Sequence, residues 1–170
     1  MAHGNSWTDL AGRLVEGEGA RRAHRLAVRV YHEDTDFSGV AYHGSYVRWC
    51  ERGRSDFLRL LGADHRQLLD GSGGTEPAAL MVRRMTLDYL APARIDDVLE
   101  VETRVRALTA ATLVLDQRVV QVNQNASTAK SIELVRAEVT IVLVTVGGRV
   151  LRIAKVLGAL FGDVGGAASR

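Results

Sequence analysis

The chain has 170 residues, 46% hydrophobic and 25% charged, which suits one domain with a substantial core. A formal net charge of +2 leaves no broad basic field to argue for nucleic acid, and the single Cys50 excludes an internal disulfide framework and a multi-cysteine zinc site. No apolar run approaches the roughly 18 residues needed to span a bilayer, and the first residues lack the apolar core of a secretory signal, so no membrane span and a cytoplasmic setting are expected.

In chain order, residues 1–22 read as an extension. Ser6-Trp7-Thr8-Asp9 offers a helix start that would put Trp7, Leu10, Ala11 and Leu14 on one face; a loosely docked arm is the alternative. From Arg25 to Tyr31 the pattern alternates, with Leu26, Val28 and Val30 on one side, which predicts a half-buried strand. His32 to Ala41 is a loop. From Tyr42 to Leu61 the residues Tyr46, Trp49, Cys50, Gly53, Phe57, Leu60 and Leu61 recur in steps of three and four. That spacing predicts a helix over 42–61 with one buried stripe, stopped by Gly62. Gly53 on the stripe costs about 1 kcal/mol relative to Ala, so a close approach of the helix to a sheet is expected there.

A Gly-rich loop at 70–75 precedes strand-like runs at 79–90, 98–107, 112–122 and 134–146, with turns at 123–130 and Gly147-Gly148. Residues 150–160 read as a short strand or helix, and 162–170 as a disordered tail. One long helix followed by an antiparallel meander predicts an α+β fold, its sheet of about five strands wrapped on the helix, within a domain 23–161.

The segment with chemical content is the loop before the helix. Glu33, Asp34 and Asp36 fall within four positions, followed by Gly39 and then Tyr42-His43-Gly44. The first N–H groups of a helix have no internal acceptor and carry the positive end of its dipole, so they can hold a developing oxyanion. A carboxylate one loop away can act as nucleophile or general base. The pair suits acyl transfer from a good leaving group such as a thiol, whose reference pKa is about 8.5. A solvated, helix-capping acidic turn accounts for the same spacing, and no G-x-S-x-G motif is present to suggest a serine nucleophile.

The stretch VRVYHEDTDFSGVAYHGSYVRWCERGR (28–54) resembles the signature of the hot-dog-fold acyl-CoA thioesterases. It is most similar to the 4-hydroxybenzoyl-CoA thioesterase-like branch that includes the bacterial Tol–Pal-associated thioesterases. A second block, ALMVRRMTLDYLAPARIDDVLEVETRV (79–105), is similar to the same family through its Tyr-x-Ala-Pro-Ala-Arg turn and Asp-Asp pair. The resemblance implies a hot-dog fold and a homo-oligomer, dimer or homotetramer, with sites between subunits. It also implies an acyl-CoA substrate, no metal or organic cofactor, and a possible association with an envelope complex. By this resemblance Asp36 is the catalytic carboxylate and the His43 backbone N–H polarises the thioester carbonyl. Glu33 and Asp34 then shape or solvate the loop.

Glu51, eight residues after His43, is the alternative carboxylate by analogy with another hot-dog branch, or a supporting residue; its plainer role is an ion pair with Arg48, Arg52 or Arg54. Tyr42, Tyr46 and Trp49 read as packing or acyl-pocket wall, and Cys50 as core. Arg83, Arg84, Lys130 and Arg136 are candidates for the phosphates of coenzyme A. Two rival functions remain: a hot-dog enoyl-CoA hydratase or dehydratase, and a non-catalytic acyl-CoA or protein-binding module.

Overall fold

A computed structural model describes residues 12–16, 22–122 and 131–162. The elements are β1 (Arg13–Glu16), β2 (Arg22–Arg29), α1 (His43–Leu60), α2 (His65–Asp70), β3 (Ala78–Tyr89), β4 (Val98–Leu108), β5 (Leu113–Gln121), β6 (Ile132–Thr145), β7 (Val150–Leu151) and α3 (Ile153–Leu157). The long helix and the four long C-terminal strands lie within one or two residues of their predicted bounds. Leu14 stands in strand β1, paired with His24 of β2, and not on a helix. Trp7, Leu10 and Ala11, the turn at 123–130 and the tail from 163 onward lie outside the described residues.

The strands form an antiparallel sheet in the order β1-β2-β4-β5-β6-β3, with β7 also pairing with β6. A simple meander would seat β3 beside β4. Instead β3 pairs with β6 at the far edge, Ala78 opposite Thr145 and Tyr89 opposite Val135. The link 90–97 therefore crosses from one side of the sheet to the other. It is held on the way by Leu90 N–H to Leu134 O (2.8 Å), by Ala93 N–H to the Tyr46 hydroxyl (2.8 Å) and by Asp96 N–H to Val30 O (3.0 Å). The pairing with β6 sets the end of β3 beside the start of α1, where Tyr89 Oη donates to His43 O.

The sheet wraps α1. Around the first half of the helix, Tyr46, Trp49 and Cys50 pack with Val30, Leu99, Val101, Val119 and Leu134. Around the second half, Phe57 and Leu58 pack with Leu113, Leu115, Val139 and Leu143, closed by Ile153, Leu157 and Phe161. Each fully buried Leu or Phe here contributes about 1.5–3 kcal/mol relative to exposure. Gly53 faces the sheet as its position on the stripe requires. A Cβ there would lie 2.8 Å from Val101 Cγ1 and 3.3 Å from Thr103 Oγ1. Gly62, with φ +101°, donates to Arg59 O and ends the last turn of the helix.

The stripe differs from its prediction at both ends. Leu60 is exposed, while Ser45, Arg54 and Asp56 are buried. Each of these polar residues has found a partner from outside the helix or one turn along it. Ser45 Oγ donates to Asp34 O, Arg54 Nη1 donates to Gln117 Oε1 (3.2 Å), and Asp56 Oδ2 meets His24 Nε2 at 2.7 Å. Local periodicity does not register such partners, because they come from distant parts of the chain. The helix α2 is also absent from the sequence reading. Asp64 caps it by accepting from Arg66 N (2.9 Å) and Gln67 N (3.1 Å), and Gly71 with φ +75° ends it.

Candidate active site

Loop 31–42 is a constructed turn and not a slack acidic stretch. Residues 32–34 form a single 3-10 turn. The buried Asp34 carboxylate accepts from Tyr31 N (3.0 Å), and its carbonyl accepts from Tyr42 N (2.8 Å) and Ser45 Oγ (3.0 Å). Arg48 approaches the same carboxylate at 3.8 Å. Asp34 thus ties both ends of the loop to the first turn of α1. Glu33 is exposed. Beyond Asp34 the chain folds back on itself. Thr35 bridges Ala41, Asp36 N donates to Val40 O (3.1 Å), and Gly39 N donates to Asp36 O (3.1 Å). Gly39 has φ +78°, a conformation that a side chain disfavours. Val40 bridges Arg94, and Ala41 N donates to Ala93 O (2.9 Å), which fastens the loop to the crossing link. Arg94 is structural, its own N–H capped by Asp97 Oδ2 at 2.7 Å.

Asp36 stands on this loop partly exposed. Its Oδ1 accepts from Ser38 N (2.8 Å) and from the Ser38 hydroxyl. Those two donors hold its pKa below the ordinary carboxylate value, with a smaller contribution from the nearby His43. The carboxylate is therefore ionised at neutral pH and has its other oxygen available. His43 is the first residue of α1, with Tyr42 as its cap. The Tyr42 ring leans on the His43 imidazole at a centroid distance of 4.2 Å. The structure brings Asp36, Tyr42 and His43 together at one end of the fold.

Tyr89 joins them. Its hydroxyl donates to His43 O (3.2 Å), and its ring meets the His43 ring edge-on at 6.4 Å and the Tyr46 ring at 5.8 Å. Tyr42, Tyr46 and Tyr89 thus give the first turn of α1 an aromatic environment. No local pattern in the sequence marks Tyr89 for this place. Its contact with His43 depends on the pairing of β3 with β6, where Tyr89 stands opposite Val135.

Other candidates are elsewhere. Glu51 is eight helical residues, about 12 Å, beyond His43. It accepts from Ser55 Oγ (2.7 Å), and no ion pair with Arg48, Arg52 or Arg54 is formed. The reason is rotamer reach: the short Ser55 hydroxyl one turn on takes the carboxylate, while Arg54 is turned inward to Gln117. Arg83 and Arg84 are exposed on β3 at a register shift between Val82 and Arg84, about 17 Å along the strand from Tyr89 in the case of Arg84. Arg136 pairs with Glu133 at 2.9 Å. Lys130 lies outside the described residues. Cys50 is buried in the core, and burial pushes its thiol up to about 11, which makes it a poor nucleophile.

A cavity of about 970 Å³ lies along the other half of α1, between Leu26, Val28, Glu51, Asp56 and Arg59. The carboxylate at Asp36 sits instead on open surface.

Residues 38–127 match the model of the thioesterase superfamily. The chain belongs to the thioesterase superfamily. Among curated relatives of this thioesterase, the acyl-CoA thioester hydrolase YbgC of Escherichia coli O6:H1 is 42% identical over 120 residues, 71% of this chain and 81% of that one. Among solved structures, a probable thioesterase from Bartonella henselae superposes with a TM-score of 0.67 at 37% identity, covering 76% of this chain and 98% of that one. The 4-hydroxybenzoyl-CoA thioesterase of Pseudomonas sp. strain CBS-3 superposes with a TM-score of 0.71 at 17% identity, covering 81% and 98%, and shares the fold. The predicted hot-dog architecture, one long helix wrapped by an antiparallel sheet, is that of this thioesterase.

Proposed function

We propose that this thioesterase hydrolyses acyl-CoA thioesters, with Asp36 as the reacting carboxylate and the His43 N–H as the donor to the oxyanion. The observation that carries the reading is an ionised, partly exposed carboxylate on a pinned loop beside the first turn of α1. In the nucleophilic route Asp36 attacks the thioester carbonyl, the C–S bond breaks, coenzyme A leaves as its thiolate, and water hydrolyses the resulting anhydride. In the general-base route Asp36 takes a proton from the water that attacks. Both routes build negative charge on the carbonyl oxygen, where the helix N-terminus stabilises it. Both regenerate Asp36 and release acid and coenzyme A.

A homo-oligomer, dimer or tetramer, completes the site in this reading. Support comes from the openness around Asp36, from the fully exposed Phe37 beside it, and from the exposed Met81 and Val82 on edge strand β3. The exposed guanidinium groups of Arg83 and Arg84, with no ion-pair partner among the described residues, support a role toward the phosphates of coenzyme A. A coenzyme A thioester as substrate supports a cytoplasmic setting, and the likeness to the Tol–Pal-associated branch supports a partner in the cell envelope.

Thiol release measured over a panel of short, long and aromatic acyl-CoA thioesters tests the activity. Asp36→Asn and Asp36→Ala should reduce turnover by at least about 100-fold, the scale of a lost acid–base or nucleophilic group, while sedimentation shows an unchanged oligomer. Near-normal turnover by either pure variant defeats the assignment of Asp36.

A further inference from the structure

The loop carries a second functional side chain, directly after Phe37. Ser38 donates twice to the same atom of Asp36, once from its backbone N–H at 2.8 Å and once from its hydroxyl. Asp36 Oδ2 has no donor among the described residues. The peptide groups of Asp36 are also engaged, its N–H with Val40 O and its carbonyl with Gly39 N, both at 3.1 Å. The backbone of the residue is therefore clamped, and only its two side-chain torsions remain to be set. Two donors converging on Oδ1 set both, because rotation about either torsion breaks the pair of hydrogen bonds together.

We propose that Ser38 is a positioning residue for the reaction: its hydroxyl fixes the Asp36 carboxylate so that Oδ2, and not Oδ1, faces the thioester carbonyl or the attacking water. The inference rests on the reading of Asp36 as the reacting group. On a partly exposed aspartate, an unrestrained carboxylate would rotate among several rotamers and present either oxygen. Orientation of a reacting group is worth a large share of enzymatic acceleration, and a displacement of about 1 Å can cost about 100-fold. The Ser38 bonds also favour the anion, so Asp36 remains ionised to lower pH than it would without them.

The backbone N–H of residue 38 is present in any variant except proline, so Ser38→Ala removes the hydroxyl alone. The residue is exposed, and thermal unfolding should move little. With an acyl-CoA that the wild type hydrolyses, Ser38→Ala is expected to lower kcat about tenfold with KM nearly unchanged. The acid limb of its kcat/KM profile should move to higher pH, because one donor to the carboxylate anion is gone. Ser38→Thr keeps the hydroxyl and should restore both kcat and the position of the acid limb. A Ser38→Ala enzyme whose kcat and pH profile overlay the wild type, when Asp36→Asn is inactive, overturns the proposal and leaves the assignment of Asp36 intact. Loss in Ser38→Ala as complete as in Asp36→Asn overturns it in the other direction, since the hydroxyl would then be a reacting group. Full activity in Asp36→Asn removes the reading on which the proposal rests.

Discussion

Gly53→Ala tests how tightly the helix is seated on the sheet. In a free helix the substitution is favourable by about 1 kcal/mol. In this fold the new methyl group would lie 2.8 Å from Val101 Cγ1, 3.3 Å from Thr103 Oγ1 and 3.4 Å from Gln117 Nε2. Carbon atoms pack best at about 3.5–4.0 Å, so at least about 0.7 Å must be absorbed. Val101 is fully buried and β-branched, with a stiff first torsion, and cannot turn away cheaply. Lifting the helix instead would stretch the bonds from Gln117 Nε2 to Cys50 O (2.9 Å) and from Arg54 Nη1 to Gln117 Oε1. Each is worth about 1 kcal/mol net. Overpacking of this kind costs about 1–3 kcal/mol, and stretched polar bonds add to it, so the sum exceeds the helix gain. We expect net destabilisation of about 2 kcal/mol, or a fall in Tm of about 4–8 °C for a chain of this size. Urea unfolding followed by far-UV circular dichroism gives the midpoint. The double variant Gly53→Ala, Val101→Ala should recover at least about 1 kcal/mol of coupling, because the second change removes the clashing methyl group. A midpoint at or above wild type for Gly53→Ala, or strict additivity in the double variant, would refute the argument.

Two further outcomes follow from buried polar groups. His24 is fully buried, and burial lowers its pKa below 6.5 despite the opposing hydrogen bond and charge of Asp56. The groups facing it are Asp56, which also accepts from Gly12 N and Arg59, and the Phe57 ring. A histidine with a depressed folded pKa is neutral in the fold, so its contribution is complete above pH 6.5 and lost as the pH falls through the folded value. The urea midpoint should therefore decline on acidification below about pH 6.5, more steeply in wild type than in His24→Gln; parallel curves would contradict this. Asp34→Ala should cost about 1–3 kcal/mol by stranding the Tyr31 N–H, and should lower kcat/KM by tenfold or more although Asp36 is untouched. Asp34→Asn keeps an acceptor and should lose less, which thiol release and thermal unfolding together would measure.

Much of the candidate site was legible in the sequence because it is local. Asp36 and His43 are seven positions apart, and the loop joining them is closed mostly by bonds among its own residues. The division among the acids came from the family resemblance, which singles out Asp36 and leaves Glu33 and Asp34 to shape or solvate the loop; that Asp34 anchors both ends of the loop came only with the structure. The Asp36–Ser38 contact spans only two residues, and a serine two positions after an aspartate is a recognisable turn signal. Tyr89 and the inward-facing Arg54 were not legible in this way. Tyr89 reaches His43 across 46 positions and Arg54 reaches Gln117 across 63, and neither spacing leaves a periodic trace.

Alternation and three-to-four spacing by themselves determined the long helix and the five long strands. Those patterns are short-range, set by backbone geometry and by which side chains avoid water. The place of β3 was decided only in the tertiary structure, since strand order depends on which hydrophobic faces close over the helix and not on the character of any single strand. With β3 beside β6, Tyr89 at the end of β3 reaches His43, and link 90–97 must then cross the sheet, which carries Ala93 to the Tyr46 hydroxyl. The sequence thus placed the acidic loop next to the helix start. The sheet order assembled the aromatic surroundings in which they meet.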